Sequence, residues 1–371
     1  MRRPFLSPLW LAATLPLYMG FRLLPALTAR PTGLCAGAAL LIGACFLIPQ
    51  SVRRGSRFAW PGLIALGFFS TLFVMTLLRD LFLLGARLLM EAGAYAALVR
   101  PTAQYALAST ALITVIGFLV SRRPRVVEVD IPIAHLPGPL DGFSIAQISD
   151  VHVGPTIRRR FVERLVRRVN DLEADLIAVT GDLVDGSVRQ LAAHTAPLAD
   201  LCARHGAYFV TGNHEYYSGE SAWTREIRRL GLTVLKNEHV TLLHDGAVLV
   251  LAGVNDLGAH HFDPRQRSDP AAALCGAPAN AGARILLAHQ PGSAPAAALA
   301  GFDVQISGHT HGGQFWPWNH FVRFFQPFTG GLHRLKNLWV YVSRGTGYWG
   351  PPNRFGVPSE ITRIRLVAAP S

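Results

Sequence analysis

The chain has 371 residues, enough for two domains; half are hydrophobic and 16% are charged, which excludes disorder as the main state. The formal net charge of +12 invites a nucleic-acid reading, but the charge is unevenly spread. Residues 1–120 hold ten arginines against Asp80 and Glu91, a net of +8, whereas the remainder carries 25 basic and 21 acidic residues. Positive charge set among apolar stretches orients a membrane segment rather than gripping phosphates, so no nucleic-acid partner is expected.

Apolar runs lie at Leu9–Leu27, Leu34–Ile48, Trp60–Leu78 and Ala103–Val120. A helix crossing a hydrocarbon core of ~30 Å needs about 20 apolar residues, so residues 1–120 are expected to form a helical transmembrane module of about four spans. A further stretch, Leu81–Val99, carries Arg87 and Glu91 at i,i+4 and reads as an interfacial or packed amphipathic helix. Arg2 and Arg3 precede the first run, Arg53, Arg54 and Arg57 follow the second, and Arg122, Arg123 and Arg125 follow the fourth. The positive-inside rule then puts both ends of the module in the cytoplasm, in an inner (cytoplasmic) membrane. The opening Arg2-Arg3-Pro4-Phe5-Leu6 has a twin-arginine look; removal of the first run would leave three spans and the same orientation for the C-terminal domain. The four cysteines, Cys35, Cys45, Cys202 and Cys275, have neither metal-type nor disulfide-framework spacing and read as thiols.

Residues 121–142 hold Pro124, Pro132, Pro137 and Pro139 and read as a linker. The composition then changes. Strands are predicted at Phe143–Ser149, Leu176–Thr180, Tyr208–Thr211, Val248–Val254, Ile285–Ala288, Val304–Ser307, Leu338–Ser343 and Ile361–Val367. Helices are predicted near Arg158–Asn170, Val188–Arg204 and Ser221–Leu230, which makes residues 143–371 a layered α/β domain.

Five of these strands run into polar residues: Asp150 and His152, Asp182, Asn213 and His214, His289, and His309 and His311. Open α/β sheets place ligands at that carboxyl edge. Members of the pairs 150/152 and 309/311 would face one side if their backbone were extended. Carboxylate, amide and imidazole together suit borderline divalent metals such as Mn, Fe or Zn, and the set is too large for one tetrahedral ion, so two ions are expected.

In this order the motifs D-x-H, G-D, G-N-H-E, a separate His and G-H-x-H resemble the calcineurin-like metallophosphoesterase superfamily over about residues 143–370. The stretches Gly308–Phe315 and Ser343–Phe355 are similar to its bacterial membrane-associated phosphodiesterase branch. The resemblance implies an α/β fold, a four-layer metallophosphoesterase β-sandwich flanked by helices, here preceded by the transmembrane module. It implies that Asp150, His152, Asp182 and His311 hold one metal, that Asp182, Asn213, His289 and His309 hold the other, and that His214 is catalytic without binding metal. Two divalent ions against two aspartates leave a net positive site, which attracts phosphate and turns a metal-bridging water into hydroxide for in-line attack. His214 is the candidate proton donor to the leaving alkoxide, and Glu215 either orients a ring nitrogen or stands in solvent.

The expected activity is therefore metal-dependent phosphodiester or pyrophosphate hydrolysis at a membrane. A lipid-linked substrate is expected, UDP-diacylglucosamine-like by family analogy. The alternatives are a tethered phosphodiesterase of a soluble nucleotide-type substrate and a non-catalytic membrane sensor or assembly protein. Two segments bear on that choice: Asn255–Arg267, with His260, His261, Asp263, Arg265 and Arg267, as a second phosphate or sugar contact or a solvated loop, and the aromatic Phe315–Phe328, as a core lobe or a lipid-facing one.

Overall fold

The computed structural model describes residues 8–51 and 57–369; Arg2, Arg3, Arg53 and Arg54, four of the residues that bear on orientation, lie outside them. The chain divides into two compact units, one of Met1–Leu119 with Gly350–Phe355, the other of Val120–Trp349 with Gly356–Ser371.

The first unit is helical: α1 (Pro8–Leu27), α2 (Pro31–Ser51), α3 (Ala59–Leu89) and α4 (Ala92–Ser121). Among the described residues α2, α3 and α4 are long and apolar enough to cross a membrane, and Leu15–Leu27 of α1 forms a shorter apolar helix. Leu40, Ile42, Leu88 and Leu89 expose large apolar side chains, a surface that water penalises and lipid does not.

Two predicted boundaries in this unit are corrected. The stretch 81–99 is not one amphipathic helix: α3 continues unbroken to Leu89, Met90 is extended, and α4 begins at Ala92. The charges at 79 and 80 do not end α3 because they are paired. Asp80 accepts hydrogen bonds from Tyr18 (2.6 Å) and Arg22 (2.7 Å), while buried Arg79 donates to Val99 O (3.0 Å) and Thr102 Oγ1 (3.2 Å). Satisfied in this way, the charges tie α1 and α4 to α3 and avoid the cost of an unpaired ion in an apolar setting.

The second unit is built on two six-stranded sheets. The first has the order β1 (Arg125–Ile133), β12 (Glu360–Ala368), β2 (Ser144–Ile148), β3 (Leu176–Val179), β4 (Ala207–Phe209) and β5 (Thr233–Val234). The second has the order β10 (Gly331–Leu335), β11 (Leu338–Val342), β9 (Val304–Ser307), β8 (Ala283–Leu287), β7 (Ala247–Gly253) and β6 (Glu238–His244). The segment read as a linker thus contributes an edge strand, β1, which runs parallel to β12 from Arg125↔Glu360 to Ile133↔Ala368.

Phe143, Ile145 and Leu176 from the first sheet pack with Leu249, Ile285 and Ile306 from the second in one buried core. On the outer face of the first sheet lie α5 (Arg159–Asn170), α6 (Val188–Thr195) and α8 (Glu220–Arg229), which bury Phe161, Leu191 and Trp223. On the outer face of the second lie α9 (Pro270–Ala273) and α10 (Ala294–Ala300) over Leu286 and Val340. Helix, sheet, sheet and helix are the four expected layers. The helix predicted over Val188–Arg204 stops at Thr195 and passes into a 3-10 turn, where Pro197 cannot donate the next helical hydrogen bond.

The central strands decide where function can sit. In one sheet β2, β3 and β4 are parallel neighbours, and in the other β7, β8 and β9 are parallel neighbours. The loops leaving their carboxyl ends carry Asp150, Asp182, Asn213, His289 and His309.

Candidate metal centre

The residues predicted from the strand ends do converge. Asp150, His152 and His311 bring one ligand atom each to within 4.8 Å of one another, and so do Asp182, His289 and His309. His152 Nε2 and His311 Nε2 face each other at 3.0 Å, and His289 Nε2 faces His309 Nδ1 at 3.2 Å. Asp182 stands between the two groups: its Oδ2 is 3.2 Å from His289 Nε2 and 3.9 Å from His152 Nε2. Asn213 lies at the start of α7 (Asn213–Ser218), and its buried Oδ1 has no hydrogen-bond partner. A buried amide oxygen without a donor is costly unless something electrophilic meets it. Ring nitrogens facing ring nitrogens and an orphan carbonyl oxygen form a donor set that fits a divalent cation.

The backbone reaches this geometry by a route different from the one expected. Asp150, His152, Asp182, His309 and His311 have φ of 53°, 54°, 50°, 72° and 52°, so the paired residues do not alternate along an extended strand. Left-handed conformations disfavour side chains that carry a Cβ, and they persist where surrounding structure over-determines them. Here the restraint is hydrogen bonding. His309 N donates to Asp150 Oδ1 (3.0 Å), His214 N donates to Asp182 Oδ1 (2.9 Å), and His152 N donates to Asp182 O (3.1 Å). Close approach is the second restraint: a Cβ at Gly212 would lie 2.2 Å from Asp182 Oδ1, and one at Gly308 would lie 2.0 Å from Ser149 Oγ.

Two further carboxylates, neither of them among the expected ligands, complete the centre. Asp185 Oδ1 accepts from His152 Nδ1 (2.9 Å) and His214 Nδ1 (2.6 Å), which turns both Nε2 atoms toward Asp182. Its signal in the sequence is its place three residues after Asp182 in the same loop. Glu215 neither orients a ring nor stands in solvent. It is buried and accepts from Gly212 N (2.7 Å), Leu183 N (2.8 Å) and Asp182 N (2.9 Å).

The electrostatics follow from burial and pairing. Burial pulls His152 down, but the adjoining Asp185 outweighs it and the imidazole rises to about 9. Burial pushes Asp185 up, yet His152 and His214 hold it down to about 2. Burial and the His289 charge lower His309 to about 4. Asp182 is lowered despite its burial, chiefly by His289, whereas burial raises Asp150. Burial and the Asp182 charge raise Glu215 to about 7 against its three N–H donors.

The other two singled-out segments take different forms. In the 255–267 loop Arg265 is bound to Asp263 (2.9 Å) on the exposed surface, and Phe262 meets Tyr217. In the 315–328 segment Phe315 is buried while Phe321, Phe324 and Phe325 are exposed.

Residues 143–313 match the family described as calcineurin-like phosphoesterase. A "Transmembrane protein with metallophosphoesterase domain" of Danio rerio is 38% identical over 273 residues, covering 71% of this chain and 62% of that one. A metallophosphoesterase of Helicobacter pylori, named as uncharacterized, is 35% identical over 250 residues, 66% of this chain and 64% of the other. One of Aquifex aeolicus, also named as uncharacterized, is 33% identical over 225 residues, 60% of this chain and 84% of that one. The chain belongs to the calcineurin-like metallophosphoesterase family, whose members are metal-dependent phosphoester hydrolases. It spans 62% of the length of the Danio rerio relative.

Because Asp182 Oδ2 reaches toward both ligand groups, Asp182→Ala is expected to lower metal content at both positions while the domain stays folded. Elemental analysis of the purified variant checks this, and a full metal complement would exclude Asp182 as a shared ligand.

Proposed function

We propose that this chain is a membrane-anchored, dinuclear-metal phosphohydrolase that cleaves a phosphodiester or pyrophosphate bond. The observation that carries the reading is the placement of Asp182 Oδ2 between His152 of one group and His289 of the other. Asp150, His152, Asp182 and His311 would hold one ion, and Asp182, Asn213, His289 and His309 the other. Two divalent ions bound there, Mn, Fe or Zn by donor type, would supply Lewis-acid polarisation of the phosphoryl oxygens and acidification of water.

The chain's own residues supply the rest. Asp185 holds His214 by Nδ1, so Nε2 is the atom left to face a substrate. As a hydroxide oxygen bonds to phosphorus and the opposite P–O bond breaks, protonated His214 Nε2 is placed to give its proton to the leaving oxygen. Asp185 steadies the imidazole through that change, in the manner of a carboxylate that orients a catalytic histidine.

The lipid part of the proposed substrate draws its support from the 315–328 segment. Phe321, Phe324 and Phe325 are 51%, 67% and 82% exposed on short turns, with the Arg323 guanidinium 5.2 Å from the Phe324 ring centroid. Aromatics and a basic residue at a surface suit an acyl chain or a headgroup layer better than they suit water. The reading of an inner membrane with the catalytic unit in the cytoplasm draws on the basic residues that flank the apolar helices, Arg57 and Arg123 among those described.

Three outcomes are expected. His214→Ala keeps its metal and loses about 10²–10⁴-fold in rate, with a smaller loss for a nitrophenolate leaving group than for an alkoxide; equal losses for both would leave His214 without a role as proton donor. Phe321→Ser and Phe325→Ser in the full chain raise KM for a lipid diester in mixed micelles by about ten-fold more than for a small soluble diester. Parallel changes on both substrates would remove the lipid reading. A reporter that is active only outside the cytoplasm, fused after Ser371, stays silent; a strong signal would reverse the orientation.

A further inference from the structure

Four aromatic rings run in sequence at His214. The Tyr217 centroid is 5.4 Å from that of His214 at 75°, and the Trp349 centroid is 6.0 Å from it, also at 75°. Phe262 continues the row, 5.6 Å from Tyr217 at 61°, and is backed by Tyr216 at 5.4 Å. Tyr217, Phe262 and Trp349 are 53%, 52% and 58% exposed, so solvent or a ligand can reach each side chain. They come from three separate segments, the end of α7, the loop after β7 and the loop after β11.

Scattered surface aromatics need no explanation, but Trp349 is held in place. Gln314 Nε2 donates to Trp349 O (2.8 Å), and Trp349 N donates to Gln314 Oε1 (2.8 Å). Gln314 itself is buried and adopts a left-handed φ of 63°. Just upstream, Gly347 N donates to Asp150 O (3.0 Å) and Thr346 N donates to Ser149 O (2.7 Å). The backbone that presents Trp349 is therefore bonded to the loop that presents Asp150. A strained, buried residue spent on fixing a largely exposed ring beside a candidate proton donor is the signature of a binding position.

We propose that Tyr217, Phe262 and Trp349 form the subsite for the leaving group, and that this group carries a planar aromatic ring, aryl or nucleobase. The inference rests on the phosphohydrolase reading of the metal centre. Tyr217 and Trp349 stand steeply to His214, Phe262 stands steeply to Tyr217 and is tilted at 33° to Tyr216, and Tyr217, Phe262 and Trp349 are each about half exposed. A flexible chain gains in proportion to the area enclosed around it, whereas a flat ring covers an open aromatic face in a single contact. Stacking of a base on an aromatic residue contributes about 1–3 kcal/mol, a factor of roughly 5 to 150 in affinity. Its place beside His214 puts that contact on the side where the leaving oxygen takes its proton.

Calorimetry on the full Mn²⁺-loaded chain in detergent tests this with inorganic phosphate, phenyl phosphate, octyl phosphate and uridine 5′-monophosphate. Phenyl phosphate or the nucleotide is expected to bind about ten-fold or more tightly than inorganic phosphate, and octyl phosphate to gain far less. Comparison of the first two distinguishes an aryl group from a nucleobase. Trp349→Ala and Tyr217→Ala are expected to remove the advantage while inorganic phosphate binding and metal content hold. Trp349→Phe should keep most of it and Trp349→Leu should not, which separates a flat ring from apolar bulk. Phosphate binding with no ring advantage, or an equal gain for octyl phosphate, overturns this subsite alone. Failure of the wild type to bind phosphate at all overturns the phosphohydrolase reading and the subsite with it.

Discussion

Asp182 is the constraint on which the rest of the candidate metal centre depends. One carboxylate accepts the His214 backbone N–H on one oxygen and turns the other toward imidazoles from three further loops. Those loops leave two different sheets, so the site exists only where both carboxyl edges end at the same level. The two-sheet core sets that level. Phe143, Ile145 and Leu176 against Leu249, Ile285 and Ile306 hold the sheets face to face, and close-packed interiors do not slide by fractions of a side chain. Packing far from the chemistry thus decides whether ligand atoms meet at a few ångströms.

The helical unit obeys a related rule with different means. Its lipid-compatible surface contributes little to holding helices together, since apolar side chains have no preference between lipid and one another. Specific polar contacts therefore matter more. The Tyr18, Arg22 and Asp80 cluster joins α1 to α3, and Arg79 joins α3 to α4 through Val99 and Thr102. Both units use a buried charge as a joint, but one leaves ligand atoms facing one another and the other satisfies its charges internally.

Much of this was legible in the sequence, for identifiable reasons. Asp150, His152, Asp182, His289, His309 and His311 each come just after a short apolar strand, and parallel strands deliver the loops at their carboxyl ends to one edge. The ends of the strands were legible because buried central strands are continuous apolar runs. Edge strands were not: β6 and β10 are largely half-buried or exposed, and β1 contains Pro132 and alternates with charge. The continuation of α3 through Asp80 was hidden because its partner, Arg22, lies 58 residues away. The left-handed backbone of the ligands was hidden because local preference argues against it and only long-range hydrogen bonds enforce it. Asp185 and Glu215 were hard to place for the opposite reason. An acidic residue next to a motif is usually a solvated one, and only the folded loops show which side chain turns inward.

Glu215 has a consequence beyond the loops it joins. Its carboxylate gathers the backbone N–H groups of Gly212, Asp182 and Leu183, so the loops that carry Asp182 and Asn213 are fastened to each other. Where the ligands of a metal site have no other tie, folding and metal capture are one event; here hydrogen bonds to one buried carboxylate fix part of the register between the two loops. Which divalent ion such a mixed N/O donor set would take is then set by the geometry those loops impose and by metal supply more than by raw affinity.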